Sequence, residues 1–199
     1  MLFGFFIKII SAPFLFVYFK TKVYGKRRAG KIKNRTIIIA NHLSPWDAVL
    51  LSFVFFTKRL RFITIFELFQ FNLFFKRFFT RMGSVPVNNR ISDLDTIARS
   101  IALLNQEKIL MIFPEGTRSR DGSMLPFKHG TVMIALHTET PIVPVYVNGK
   151  YGLFRRAKVV VGEKIYLHEI CDERHPPPEK IKELTALLYQ RIVELGAEG

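Results

Sequence analysis

Thr36-Ile37-Ile38-Ile39-Ala40-Asn41-His42-Leu43-Ser44-Pro45-Trp46-Asp47 is the stretch on which the reading of this chain turns. An apolar, β-branched run at 36–40 stops at a polar turn, the pattern of a buried strand that opens into a loop. A second stretch repeats it. Ile109-Leu110-Met111-Ile112 runs into Phe113-Pro114-Glu115-Gly116-Thr117-Arg118-Ser119. The first turn offers a base and an acid, the second an acid, a glycine and a cation. Together they point to an enzyme that acts on an anionic substrate.

Working outward from these strands, a helix is expected from Pro45. Another is expected over 52–79, with Phe62, Phe66, Phe69 and Leu73 on one face. Val85–Val87 reads as a short strand. Ser92-Asp93-Leu94-Asp95 resembles a capping signature for a helix with Leu94, Ile97, Ala98, Ile101 and Leu104 inside. A helix at about 130–138, strands at Ile142–Val147 and Lys158–Val161, and a weaker strand at Lys164–Leu167 follow. Pro176-Pro177-Pro178 introduces a last helix with Ile181, Leu184, Leu188, Ile192 and Leu195 inward and Gly196 as its stop. Helices interleaved with apolar strands imply a single α/β domain, a mixed central sheet flanked by helices. Polar turns beyond strand ends are where such sheets carry their sites.

The 199 residues suffice for one domain with a real core, and 49% hydrophobic residues exclude global disorder. Net charge is +14, unevenly placed. Residues 1–79 carry 14 Lys and Arg against 2 Asp and Glu, and 17 of the 20 Phe. Nucleic-acid binders spread aromatics singly over a polar face. Here the Phe residues come in blocks, which favours an anionic membrane surface over nucleic acid, against the plainer reading that they build a core. The single Cys171 excludes an internal disulfide and a thiolate metal cluster. Residues 1–19 have no basic n-region and no small-residue cleavage site, and Lys8 and Pro13 interrupt them, so neither a signal peptide nor a spanning helix of about 20 apolar residues is expected. Eight Lys and Arg residues from Lys20 to Arg35 follow at once. The expectation is an N-terminal hydrophobic helical membrane anchor at about 2–24, with residues 1–35 as anchor plus basic flank and 36–199 as the α/β domain. The anchor would be monotopic or peripheral, on the cytoplasmic face of the cell membrane.

His42 leaves a strand and Asp47 lies five residues on. Across a strand–turn–helix junction the two can converge, Asp47 accepting from Nδ1–H and leaving Nε2 as a general base. The bland alternative is a capped helix start, with Ser44 at N-cap, Pro45 at N1 and Asp47 as the acid at N3. In the second turn Gly116 permits a tight or left-handed backbone. Arg118 presents a fork suited to two phosphate oxygens, Glu115 either holds that arginine or binds a substrate hydroxyl, and Lys128 extends a cationic pocket. The bland alternative there is a surface turn with an incidental Glu–Arg pair. His129, His137, His168 and His175 read as structural or solvated, and no His, Asp or Glu spacing makes a metal site.

Asn-His-x-x-x-x-Asp at 41–47 with Phe-Pro-Glu-Gly-Thr-Arg-Ser at 113–119 resembles the glycerolipid acyltransferase family, its bacterial 1-acylglycerol-3-phosphate branch in particular. The resemblance continues through Phe127-Lys128-x-Gly130 and Pro141-Ile142-Val143-Pro144-Val145 and covers about 36–148. It implies acyl transfer from an acyl-CoA or acyl-carrier protein thioester to lysophosphatidic acid, with no cofactor and no metal. It also implies His42 as base, Asp47 as its orienter, and Arg90, Glu115, Gly116 and Arg118 at the acceptor phosphate. One departure stands out. In Gly83-Ser84-Val85-Pro86-Val87-Asn88-Asn89-Arg90 an Asn replaces the usual acid and the Arg comes one position late, so Arg81 or Lys128 can share the task. Two rivals remain: the same chemistry on glycerol-3-phosphate or another lysophospholipid, and a non-catalytic basic protein that binds lipid or nucleic acid.

Overall fold

The computed structural model describes residues 20–65, 85–87, 93–152 and 156–198. In chain order its elements are β1 (Lys22–Tyr24), α1 (Lys26–Gly30), β2 (Thr36–Ala40), α2 (Trp46–Val54), β3 (Leu60–Ile65), β4 (Val85–Val87) and α3 (Asp93–Asn105). There follow β5 (Ile109–Ile112), α4 (Gly130–Thr138), β6 (Ile142–Val147), β7 (Lys158–Val161), α5 (Leu167–Ile170) and α6 (Pro178–Ala197).

The apolar run at 36–40 is apolar on every side because it is covered on both faces. Successive side chains of a strand point to opposite faces. Ile38 and Ala40 therefore enter a core with Leu50, Leu51 and Phe55 from α2 and its end, while Ile37 and Ile39 enter a second core with α3, α4 and α6. β2 is central in a seven-stranded sheet of order β1-β7-β6-β2-β5-β3-β4. Its neighbours β5 and β6 both run parallel to it, with Ile39 opposite Ile112 and Pro144. β7 runs antiparallel to β6 and makes the sheet mixed. The last helix covers the second core with Leu184, Leu188 and Ile192, all fully buried.

Several expectations give way. The helix expected over 52–79 stops at Val54, and Leu60–Ile65 is a strand that pairs Leu60, Arg61 and Phe62 with Ile109, Leu110 and Met111. Leu60 and Phe62 alternate into one core and Ile63 packs against the other. The spacing of Phe62 from Phe66 fits period 2 as well as 3.6, and the β-branched content of Phe-Ile-Thr-Ile decides for the strand. Phe66, Phe69 and Leu73 lie outside the described residues.

In α3 the buried arc centres on Leu104, with Ser100 buried and Ile97 and Ile101 packed in. Leu94 is 69% exposed and Ala98 is exposed, because they sit about 80° and about 120° round the helix from Leu104. Lys164–Leu167 is not a strand. It makes one isolated bridge, Ile165 to Ile142, before the short helix α5. Gly196 does not stop α6 but lies inside it, against the ring of Tyr146. Lys22–Tyr24, expected within the anchor, is an edge strand parallel to β7. The remaining anchor residues, 1–19, lie outside the described residues. Among those described, no helix is long and apolar enough to cross a membrane.

Candidate active site

Parallel neighbours β6, β2 and β5 end at the same edge of the sheet, so three consecutive loops meet there. Asn41 fixes two of them together. Its side-chain amide donates to the Val147 carbonyl and accepts from the Val147 N–H, both at 2.8 Å, and it is 1% exposed. The next residue, His42, is thereby held at the rim with its side chain 21% exposed.

Asp47 is the hub. Fully buried at the start of α2, it places Oδ2 3.0 Å from His42 Nδ1 and accepts the Leu43 and Ser44 N–H groups on the same oxygen at 2.7 Å each. The helix-cap reading and the His–Asp pairing are therefore one arrangement. Asp47 satisfies the orphan amides that precede the helix and orients the imidazole in the same stroke. Ser44 contributes a weaker 3.3 Å contact from its Oγ to the Trp46 N–H, and Pro45, not Ser44, flanks the first helical residue. The second carboxylate oxygen, Oδ1, accepts a short hydrogen bond from the Tyr151 hydroxyl. Burial first, then the Asp47 charge, push the Tyr151 phenol far up, so it stays a proton donor. A ring stack completes the setting: Phe113 lies 4.1 Å from the His42 imidazole at 17°.

The second loop is bound to the first through the backbone. Glu115 Oε1 accepts the His42 N–H at 2.6 Å, Oε2 accepts the Leu125 N–H at 2.8 Å, and the Ser119 N–H donates to the His42 carbonyl at 3.0 Å. Glu115 is 4% exposed, and burial raises its carboxyl above the usual range, opposed by those two amide hydrogen bonds. The Glu115 oxygens strut two loops, and no Glu115–Arg118 ion pair occurs among the described residues. Gly116 has φ +71, and an added Cβ would meet Lys128 Cε at 2.7 Å, so the Lys128 side chain lies directly over this glycine. Arg118 and Lys128 are both exposed beside the His42 loop. Arg90 and Arg81 lie outside the described residues. His129 is structural, its Nδ1 3.0 Å from Thr185 Oγ1 of α6.

Tyr151, Asn41 and Phe113 complete the site, although sequence reasoning gave none of them a role. Asn148-Gly149 marks a turn before Tyr151, but nothing local ties it to an aspartate 104 residues away.

A sequence profile described as Acyltransferase matches residues 20–148. The chain is 30% identical over 179 residues to the 1-acyl-sn-glycerol-3-phosphate acyltransferase of Bacillus subtilis (strain 168), covering 87% of each. It is 30% identical over 154 residues to the protein of the same name from Limnanthes douglasii, covering 74% of this chain and 52% of that one. The crystal structure of the 1-acyl-sn-glycerophosphate (LPA) acyltransferase from Thermotoga maritima matches with a TM-score of 0.71 over 98% of this chain and 78% of that one. At 24% identity that likeness is one of fold.

Proposed function

The chain belongs to the acyltransferase family, and from that premise we propose that it moves a fatty acyl group from a thioester to the free sn-2 hydroxyl of 1-acyl-sn-glycerol-3-phosphate, forming phosphatidic acid. The observation that carries this reading is the His42–Asp47 pair, 3.0 Å apart and fastened to the Glu115–Ser119 loop.

An alcohol is a poor nucleophile, and a base beside it contributes as the new bond forms. With Nδ1–H donated to Asp47, His42 offers Nε2. It takes the hydroxyl proton while the oxygen adds to the thioester carbonyl, giving a tetrahedral oxyanion. Collapse of that oxyanion breaks the C–S bond, and the imidazolium returns the proton to the departing thiolate. Buried Asp47 stabilises the imidazolium between these steps. Arg118, together with Lys128 where it lies over Gly116, supplies positive charge for the acceptor's phosphate. Arg90 is proposed as a further phosphate ligand on motif resemblance alone. The donor is acyl-CoA or acyl-carrier protein. Residues 1–19 are proposed to hold the enzyme on the cytoplasmic face of the membrane, where both lipids lie.

The test is product analysis. Protein incubated with lysophosphatidic acid and each thioester donor should yield phosphatidic acid, and an acceptor panel with glycerol-3-phosphate and larger lysophospholipids should be used less well. His42→Ala should lower the rate by about 10²–10⁴-fold with the fold intact. Turnover near that of the unaltered protein would sink the mechanism.

A further inference from the structure

Among the described residues, four cations and no carboxylate line a cleft of about 690 Å³ at the β1 side of the sheet: Lys22, Lys150, Arg156 and Lys158, with Tyr24 and Asn148. None of the four belongs to any ion pair of the described residues. The cluster is also built rather than incidental. One side chain, Asn148, accepts the Lys150 N–H at 3.2 Å and the Lys158 N–H at 2.9 Å on Oδ1, and donates to the Arg156 carbonyl at 3.0 Å through Nδ2. Lys22 and Lys158 hold their ammonium groups 4.9 and 5.9 Å from the Tyr24 ring. A cleft lined by one sign of charge focuses its field on an anion.

Its position says which anion. Lys22 registers with Lys158, Lys158 pairs with Asn148, and Asn148 follows Val147, which Asn41 brackets beside His42. Cleft and imidazole thus share one end of the sheet. They stand up to three strand steps apart, about 14 Å at the usual spacing. A phosphopantetheine arm has about thirteen bonds from phosphorus to sulfur, the reach of about four extended residues or about 14 Å. Resting on the acyl-transfer reading, we infer that this cleft binds the phosphate end of the donor's phosphopantetheine arm and so lays the thioester over His42. Nucleotide-linked and carrier-linked donors share that phosphate.

The experiment measures equilibrium binding to the full chain, without turnover. Probes are coenzyme A, a phosphopantetheinylated carrier protein and, lacking phosphate, pantetheine. The variant is Lys150→Ser with Arg156→Ser, both exposed side chains whose backbone contacts to Asn148 remain. At least one phosphate-bearing probe should bind the unaltered protein and lose about tenfold or more in the variant, about 1.4 kcal/mol. Pantetheine should bind both proteins alike. Loss for coenzyme A alone or for the carrier alone supports the inference and names the donor. Unchanged affinity for both probes overturns it, as does loss of binding to phosphatidylglycerol vesicles with probe affinity kept. Phosphatidic acid formation by a protein whose variant keeps full probe affinity sinks only the cleft. Probe binding there without phosphatidic acid formation sinks only the acyl-transfer reading.

Discussion

Tyr151 donates to a buried carboxylate oxygen, and the cost of removing that donor has a known scale. A buried acceptor that loses its partner costs about 1–3 kcal/mol. Tyr151→Phe should therefore lower the thermal midpoint by several degrees and kcat about tenfold, since Asp47 then holds the imidazole less firmly, while both KM values stay put. A raised KM at unchanged kcat would make Tyr151 a substrate contact instead. Glu115 carries a pH signature. Its carboxyl binds a proton more readily in the folded protein than in the unfolded chain, so its favourable contribution is complete at low pH and lost as pH rises through the raised value. Glu115→Gln removes this titration, and denaturation curves from pH 4 to 7 should show a flatter dependence than in the unaltered protein. Equal slopes would mean that burial does not disfavour the carboxylate. His42 and Asp47 were legible in the sequence because six residues contain both. The two backbone partners of Glu115 were not legible, because nothing in the motif reveals that its carboxylate faces those amides.

At the scale of elements, α6 shows packing overruling propensity. Gly196 sits inside a twenty-residue helix, where Ala would be favoured by about 1 kcal/mol. Yet a Cβ there would lie 3.0 Å from Tyr146 Cε2, with two more ring atoms at 3.2 Å. Overpacking of this kind costs about 1–3 kcal/mol, so Gly196→Ala should lower the denaturation midpoint. A raised midpoint would show that the Tyr146 ring yields. The run at 36–40 and the helix at 130–138 could be read directly, because each is long enough to display its period and is bounded by turn residues. β3 was harder to read, since a spacing of four suits both periods and its β-branched content is confined to a few residues, so the pairing with β5 is what fixes the strand.

At the scale of the molecule, the strand order was out of reach of the sequence. β2 lies between β5 and β6, which follow it by about 70 and 100 residues, and no local signal encodes that choice. The membrane proposal also becomes sharper. Since Lys22–Tyr24 is a strand, removal of residues 1–19 should release the protein from anionic liposomes without loss of cooperativity in unfolding, whereas removal of 1–24 should also loosen the β7 edge. Undiminished sedimentation of the shorter deletion with liposomes would place the membrane contact elsewhere.

Both outer strands of the sheet are only three residues long, and one carries Lys22 while the other carries Pro86. A sheet edge is a template on which a second chain can add a strand, and aggregation begins there. A proline has no N–H to offer an incoming strand, and a lysine at the margin repels another copy of so basic a chain. The same rim that borders the cationic cleft thus resists fibre growth, which matters for so Phe-rich a chain.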